Sequence, residues 1–218
     1  MNKKHFFISV ITVFCTLFAV KQEKSWSGID KAQLLSKLQS GGYVIYFRHA
    51  ENATDPSLSF RLPEQFEDCL VKDNLLTETG VDHIRSVGTQ FKESNIPVGE
   101  VISSPICRCM ESAWFFGFGK VAADSSLNGV YEEDNKGNFI VNEAVEKELA
   151  IDLRRLLVKK PEQGGNTVLF AHSSNIGSLT GFKLEKGEAA IFKPNGQGGF
   201  QYIDRMLQDE WQSLINEQ

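Results

Sequence analysis

The chain has 218 residues, 41% of them hydrophobic, enough for one sizeable core and too few for several large domains. Its 28 acidic and 23 basic side chains give a formal net charge of −5, which becomes −8 without residues 1–27, a stretch holding four Lys and one Glu. Such an acidic balance argues against non-specific binding to nucleic acid or to an anionic membrane surface.

Residues 1–27 predict an export signal. Lys3 and Lys4 precede the apolar stretch Phe6 to Val20, and the polar run KQEKSWSG follows. That stretch is shorter than the roughly 20 residues a membrane-spanning helix needs. An uncleaved anchor is the competing reading, and only length separates the two. Ser25 and Ser27 offer small residues at cleavage spacing; the region around Ala19 fits less well. Cys15 follows the bulky Phe14 rather than a small residue, so it belongs to the leader and not to a lipoprotein site. His5 lies in the same segment. Residues 28–218 are expected to form one domain, periplasmic or secreted, with no membrane contact once the leader is removed. Cys69, Cys107 and Cys109 then sit in an oxidising compartment, where one disulfide and one spare thiol is the simplest arrangement.

Beyond the leader, DKAQLLSKLQ (30–39) sets Leu34, Leu35 and Leu38 on one helical face and stops at Gly41 and Gly42. The apolar run Tyr43 to Phe47 predicts a buried strand. Thr77 starts a second helix with Val81, Ile84, Val87 and Phe91 on its apolar side, and EVISS (100–104) is a short strand. Pro105 suits the first turn of the next helix, PICRCMESAWFF. A Gly/Asn/Asp-rich region, 118–138, leads into a long helix from about Val141 to Lys159, striped by Val145, Leu149, Leu153 and Leu156. TVLFA (167–171) is another buried strand. The tail holds two strands joined by a Gly-rich turn, then a short helix through Trp211 and Leu214. Strands alternating with amphipathic helices predict an α/β fold: a mostly parallel sheet with helices on both faces and an antiparallel edge near the C-terminus.

Three apolar runs end on cationic or potentially cationic residues. VIYF leads into Arg48 and His49, VISS into Arg108 four residues beyond, and VLFA into His172. The carboxyl ends of strands are where open α/β sheets bind ligands, so two Arg and two His can converge in one crevice. Such a cluster repels itself unless an anion sits within it, and guanidinium forks with helix N-termini suit a tetrahedral phosphate. Phosphoryl transfer relies on positioning and charge stabilisation, and an imidazole nitrogen can act as nucleophile. The two Arg would hold the non-bridging oxygens and the other His would donate to the same group.

With these motifs in view, the sequence resembles the histidine phosphatase superfamily. FRHAE is similar to its Arg-His-Gly or Arg-His-Ala signature, and the likeness continues through LTETG (76–80), SSPICRCMESA (103–113) and AHSSNIG (171–177). It is similar to small exported members in the pairs Asp68-Cys69 and Cys107-Arg108, and in Gly187-Glu188-Ala189, Gly198-Gly199-Phe200 and Glu210-Trp211. The resemblance implies a phosphoglycerate mutase-like fold, His49 as nucleophile, Arg48, Arg108 and His172 around the phosphate, and a Cys69–Cys107 disulfide with Cys109 a buried free thiol facing elsewhere. Phosphoglycerate-isomerising members supply a Glu downstream of the second Arg as general acid. Here Glu132 and Glu133 in GVYEED are the candidates, with a lean to Glu132 because Tyr131 can fix the loop; a solvated acidic loop is the alternative.

Other chemistries lack their signatures: no Gly-x-Ser-x-Gly elbow, no Cys six positions before an Arg, no second Cys pair for structural zinc, no Walker loop. Ser173 after the second His disfavours a phytase. His83, on an amphipathic helix, is expected to be solvated. The expected function is an exported phosphomonoesterase acting on a small phosphorylated compound through phosphohistidine, with no metal and no cofactor. The alternative is a protein of the same fold that binds or senses phosphate with weak or no turnover; a mutase would need a second phosphate donor outside the cytoplasm. Specificity would come from residues 52–67 and 118–140. Nothing in the sequence names the substrate or the oligomeric state.

Overall fold

A computed structural model describes residues 29–55, 57, 69–70, 74–129, 132–133, 139–140 and 143–216. Residues 1–27, expected to be an export signal, and most of the 52–67 segment lie outside the described residues. Asp30 starts α1 (Lys31–Gln39) by accepting the Ala32 N–H at 3.0 Å, and the helix buries Leu34, Leu35 and Leu38 as their spacing predicts. β1 (Val44–Arg48) follows, buried through Phe47. Thr77 caps α2 (Glu78–Glu93), whose buried side carries Val81, Ile84, Val87 and Phe91. Next come β2 (Val98–Ser103), α3 (Cys107–Phe116), β3 (Val121–Ala123) and a 3-10 turn at Ser125–Leu127. β4 (Glu132–Glu133) and β5 (Phe139–Ile140) pair with each other away from the main sheet. The chain closes with α4 (Glu143–Val158), β6 (Asn166–Ala171), α5 (Ser173–Thr180), β7 (Ala189–Pro194), β8 (Phe200–Met206) and α6 (Glu210–Asn216).

The main sheet has the order β3-β2-β6-β1-β7-β8; the first four strands are parallel and the last two pairings antiparallel. Alternate residues of each strand enter one of two cores. Ile45, Phe47, Val101, Val168 and Phe170 join α1, α2, α3 and α6 on one face, while Val44, Tyr46, Ile102, Leu169 and Phe192 join α4 and α5 on the other. Phe47 is the centre of the first core: it stacks on Phe170 at 5.1 Å between centroids and also meets Phe91, Phe116 and Trp211. Removing such a buried ring costs about 3–5 kcal/mol. Phe47 is also two residues from His49, so its packing fixes where β1 ends.

Several boundaries differ from the sequence expectation. β2 begins at Val98, two residues early. Pro105 lies outside α3, which starts at Cys107 after Ile106 as its cap. The cause is a short bridge: Leu70 N donates to Pro105 O and Cys107 N donates to Leu70 O, both at 2.8 Å, holding Ile106 extended. In α4 the buried residues are Leu153 and Leu157, with Leu149 and Leu156 half-buried. β3 and α5 were not anticipated. β3 is three residues of small side chains without an apolar period, and α5 is rich in Ser and Gly.

Cys69 and Cys107 form a disulfide, Cα atoms 5.0 Å apart and 38 positions apart in sequence, and Cys109 is a buried free thiol. The bond and the Leu70 bridge clamp the start of α3 at the same point. Cys69→Ala should lower unfolding stability by about 2–4 kcal/mol relative to the oxidised wild type, and reductant should reproduce that loss in the wild type only. Denaturant titration with and without reductant checks this; an equal reductant effect on both proteins would contradict it.

Candidate active site

The register of three neighbouring parallel strands brings their carboxyl ends level. Arg48 stands opposite Ala171, and Ser103 opposite Phe170. From that edge His49 follows β1, Arg108 falls in the first turn of α3, and His172 is the N-cap of α5. The rings of His49 and His172 lie 5.5 Å apart, and Arg108 Nη2 is 3.4 Å from His172 Nδ1. Arg48 donates from Nη1 to Leu184 O at 2.8 Å. The structure therefore brings together all four cationic or potentially cationic residues that the strand ends predicted. Glu132 and Glu133 form β4; their side chains lie outside the described residues. His83 is exposed on α2.

His49, Arg108 and His172 are buried, at 4%, 8% and 0% exposure, and that burial sets the electrostatics. Desolvation, then the Arg108 charge, and then Arg48 and Lys186 push the His49 imidazole down to about 3, against a smaller upward pull from its bond to Ala50. Burial first, then His49, Arg108 and Arg48, hold His172 well below the ordinary histidine range. Both rings are neutral near pH 7. Arg108 and His172 moreover sit at helix N-termini, the positive ends of the helix dipoles, where a cation is disfavoured and an anion favoured.

The loop after β1 is fixed atom by atom. His49 Nδ1 lies 2.9 Å from Ala50 O, a carbonyl that can only accept, so Nδ1 carries the proton and Nε2 keeps a lone pair. Ala50 N in turn donates to Ser112 Oγ at 2.9 Å, and Ser112 donates to Arg108 O at 2.7 Å. One hydroxyl thus ties the His49 loop to the helix that carries Arg108. The LTETG motif has a similar explanation. Thr77 N donates to Glu51 O at 3.1 Å, and a Cβ at Gly80 would sit 2.1 Å from that same oxygen, so no side chain fits there. The loop beneath Arg48 is closed by Glu188, whose Oε2 accepts the Glu185 N–H at 2.6 Å while Arg205 Nε lies 3.1 Å from Oε1.

Sequence reasoning missed Ser104, Asn128, Ser112 and the placement of Cys109. The Cys109 thiol faces away from the disulfide, as expected, and what the sequence did not show is where it points: two positions beyond Cys107 the helix has turned toward β6, so Sγ lies 3.5 Å from His172 Nε2. Burial pushes it up to about 12, so it stays protonated. Beside Arg48 a cleft of about 590 Å³ runs between α5 and residues 181–185, lined by Ser173, Ser174, Lys183 and Glu146 among others. Among the described residues no group of three or more His, Cys, Asp or Glu is placed to hold a metal, and no helix is long and apolar enough to cross a membrane.

Glu111, one turn after Arg108, is wholly buried; Oε2 accepts the Leu76 N–H at 2.8 Å and Oε1 has no hydrogen-bond partner among the described residues. Burial raises its pKa to about 7, the Leu76 bond opposing only in part. The folded state therefore binds more protons than the unfolded one between roughly pH 4.5 and 7, and stability falls as pH rises through that window. Glu111→Gln keeps an acceptor for Leu76 without the charge. Relative to wild type it should gain on the order of 1 kcal/mol between about pH 4.5 and about pH 8. Denaturant unfolding at the two pH values measures this; a relative loss toward high pH would contradict it.

No protein-family profile and no curated protein sequence matches the chain. Solved structures do. It is similar to the alpha-ribazole phosphatase of Shigella flexneri at 12% identity and a TM-score of 0.57, over 76% of this chain and 96% of that one. An ecdysone phosphate phosphatase of Bombix mori in complex with tungstate matches at 14% identity and TM-score 0.54, over 75% and 92% of the two chains. A mycobacterial glucosyl-3-phosphoglycerate phosphatase matches at 15% and 0.51, over 75% and 98%. At these identities the likeness is one of fold: the chain has the phosphoglycerate mutase-like α/β fold, and these three solved structures are phosphatases.

Proposed function

We propose that this protein is an exported phosphomonoesterase that hydrolyses a small phosphorylated compound through a phosphohistidine on His49. The observation that carries the reading is the meeting of Arg48, Arg108 and His172 about the His49 ring, whose Nε2 lone pair is left available by the Nδ1 bond to Ala50 O. His49 Nε2 attacks phosphorus and the bond to the leaving oxygen breaks; that oxygen takes a proton from Glu132, or from Glu133 in its place. Water, giving a proton back to that carboxylate, then attacks the phosphohistidine, the P–N bond breaks, His49 regains its lone pair and phosphate leaves. Arg48, Arg108 and His172 hold the non-bridging oxygens throughout. Two guanidinium groups supply the positive charge a divalent ion would otherwise bring, so no metal enters the scheme. The tungstate complex of the Bombix mori neighbour, a tetrahedral oxyanion on the same fold, supports a phosphate-type ligand. Export rests on the leader-like residues 1–27 and on a disulfide, which persists in oxidising compartments. The cleft beside Arg48 gives a small leaving group room.

An aryl and an alkyl phosphate, assayed side by side, test both nucleophile and acid. Wild type should turn over both. His49→Ala should lose about 10³-fold or more on each while still binding inorganic phosphate through the remaining groups. Glu132→Gln should slow the alkyl ester by about 100-fold and the aryl ester by only a few-fold, since an alkoxide needs protonation more than a phenolate. Phosphate binding without turnover of either ester by the wild type would overturn the enzyme reading in favour of a phosphate-binding protein.

A further inference from the structure

The surroundings of His172 decide which of its nitrogens carries the proton. Arg108 Nη2 lies 3.4 Å from Nδ1, and a guanidinium offers only N–H donors, so Nδ1 must present its lone pair. In a neutral imidazole the proton is then on Nε2. That nitrogen faces Ser104 Oγ at 3.3 Å and, less directly, Cys109 Sγ at 3.5 Å. Ser104 is wholly buried and its bonding capacity matches the task. Its single proton goes to Asn128 Oδ1 at 3.2 Å, while its oxygen accepts from Ile106 N at 3.3 Å and from His172 Nε2. Asn128 is held in place by Asn175, whose Nδ2 donates to its main-chain oxygen at 2.7 Å. The opposite tautomer would set an Nδ1–H against the Arg108 N–H. Tyr46 adds a second restraint, donating to His172 O at 2.7 Å.

We propose that Ser104, braced by Asn128, is a positioning residue that fixes the His172 proton on Nε2 and so turns the Nδ1 edge toward Arg108 and the substrate phosphate. The phosphate in this statement rests on the proposed function; the tautomer does not. A consequence follows for the bound state. To donate from Nδ1, His172 must take a second proton there, and an ester monoanion brings one: the proton leaves a phosphate oxygen and arrives on Nδ1, giving a dianion beside an imidazolium with no change in total charge. Burial first, then His49 and the charges of Arg108 and Arg48, disfavour the imidazolium alone, and the dianion offsets them. In the ligand-free protein the ring therefore stays neutral with its lone pair on Nδ1.

The chain has four histidines, so long-range ¹H–¹⁵N correlation spectra of the labelled full chain resolve each ring. In wild type without phosphate, His172 should be a single Nε2–H tautomer. Ser104→Ala should lose that single tautomer and lower kcat on an aryl phosphate by about 10- to 100-fold, and Ser104→Thr, which keeps the hydroxyl, should restore both. An Nδ1–H ring in wild type overturns the proposal, and this outcome is readable even if Ser104→Ala fails to fold. An unaltered tautomer or an unaltered kcat in a folded Ser104→Ala overturns it as well. Absence of turnover in wild type would be a failure of the phosphatase reading alone, because the tautomer is read without catalysis.

Discussion

Like charge crowded at one sheet edge is the constraint the rest of the structure serves. Two guanidinium groups, Arg48 and Arg108, meet there, Arg108 and His172 occupy the positive ends of helices, and three of the four site side chains are almost fully buried. The imidazoles respond by remaining neutral, His49 near 3 and His172 well below its ordinary range. An arrangement of this kind costs stability in isolation and becomes favourable when a compact anion enters it. Under the proposed function a phosphoryl group would supply that charge, which spreads further over the equatorial oxygens as the transition state forms, where preorganised donors act most strongly.

Holding such a cluster needs bracing from more than one side. The Phe47 aromatic packing sets the end of β1 from beneath, and Ser112 links the His49 loop to the helix carrying Arg108. The Cys69–Cys107 bond with the Leu70 bridge fixes the first turn of that helix, one residue from Arg108. Glu188 closes the loop whose Leu184 carbonyl holds Arg48. Two buried carboxylates nearby in the chain, Glu111 and Glu188, are pushed upward, first by burial.

Much of this was legible in the sequence for a simple reason: buried parallel strands are unbroken apolar runs, and a run that stops on Arg-His or on His marks a strand's carboxyl end. Hence Arg48, His49 and His172 could be placed from VIYF and VLFA, and Arg108 from its distance beyond VISS. The α2 stripe and the antiparallel β7–β8 pair followed from periodicity and a Gly-rich turn. What resisted was set by tertiary contacts. Pro105 looked like a helix start until Leu70, far earlier in the chain, held Ile106 extended. β3 has too little apolar character to declare itself, and α5 consists of small polar residues that hide a helix. Ser104 and Asn128 looked like ordinary loop residues, since their importance comes from the proton inventory around one imidazole ring. The strand order, with β6 between β1 and β2, is what brings His172 to Arg108, and no local pattern encodes it.

The central claim is that His49 becomes covalently phosphorylated through Nε2. Rapid acid-free quench of wild-type protein turning over an isotopically labelled phosphate ester, followed by ³¹P spectroscopy and peptide mapping under alkaline conditions, tests it most directly. The expected result is an acid-labile, alkali-stable phosphoramidate on the peptide containing His49, bonded at Nε2. Label on another residue, or full turnover with no labelled protein at any time during the burst, would contradict the account.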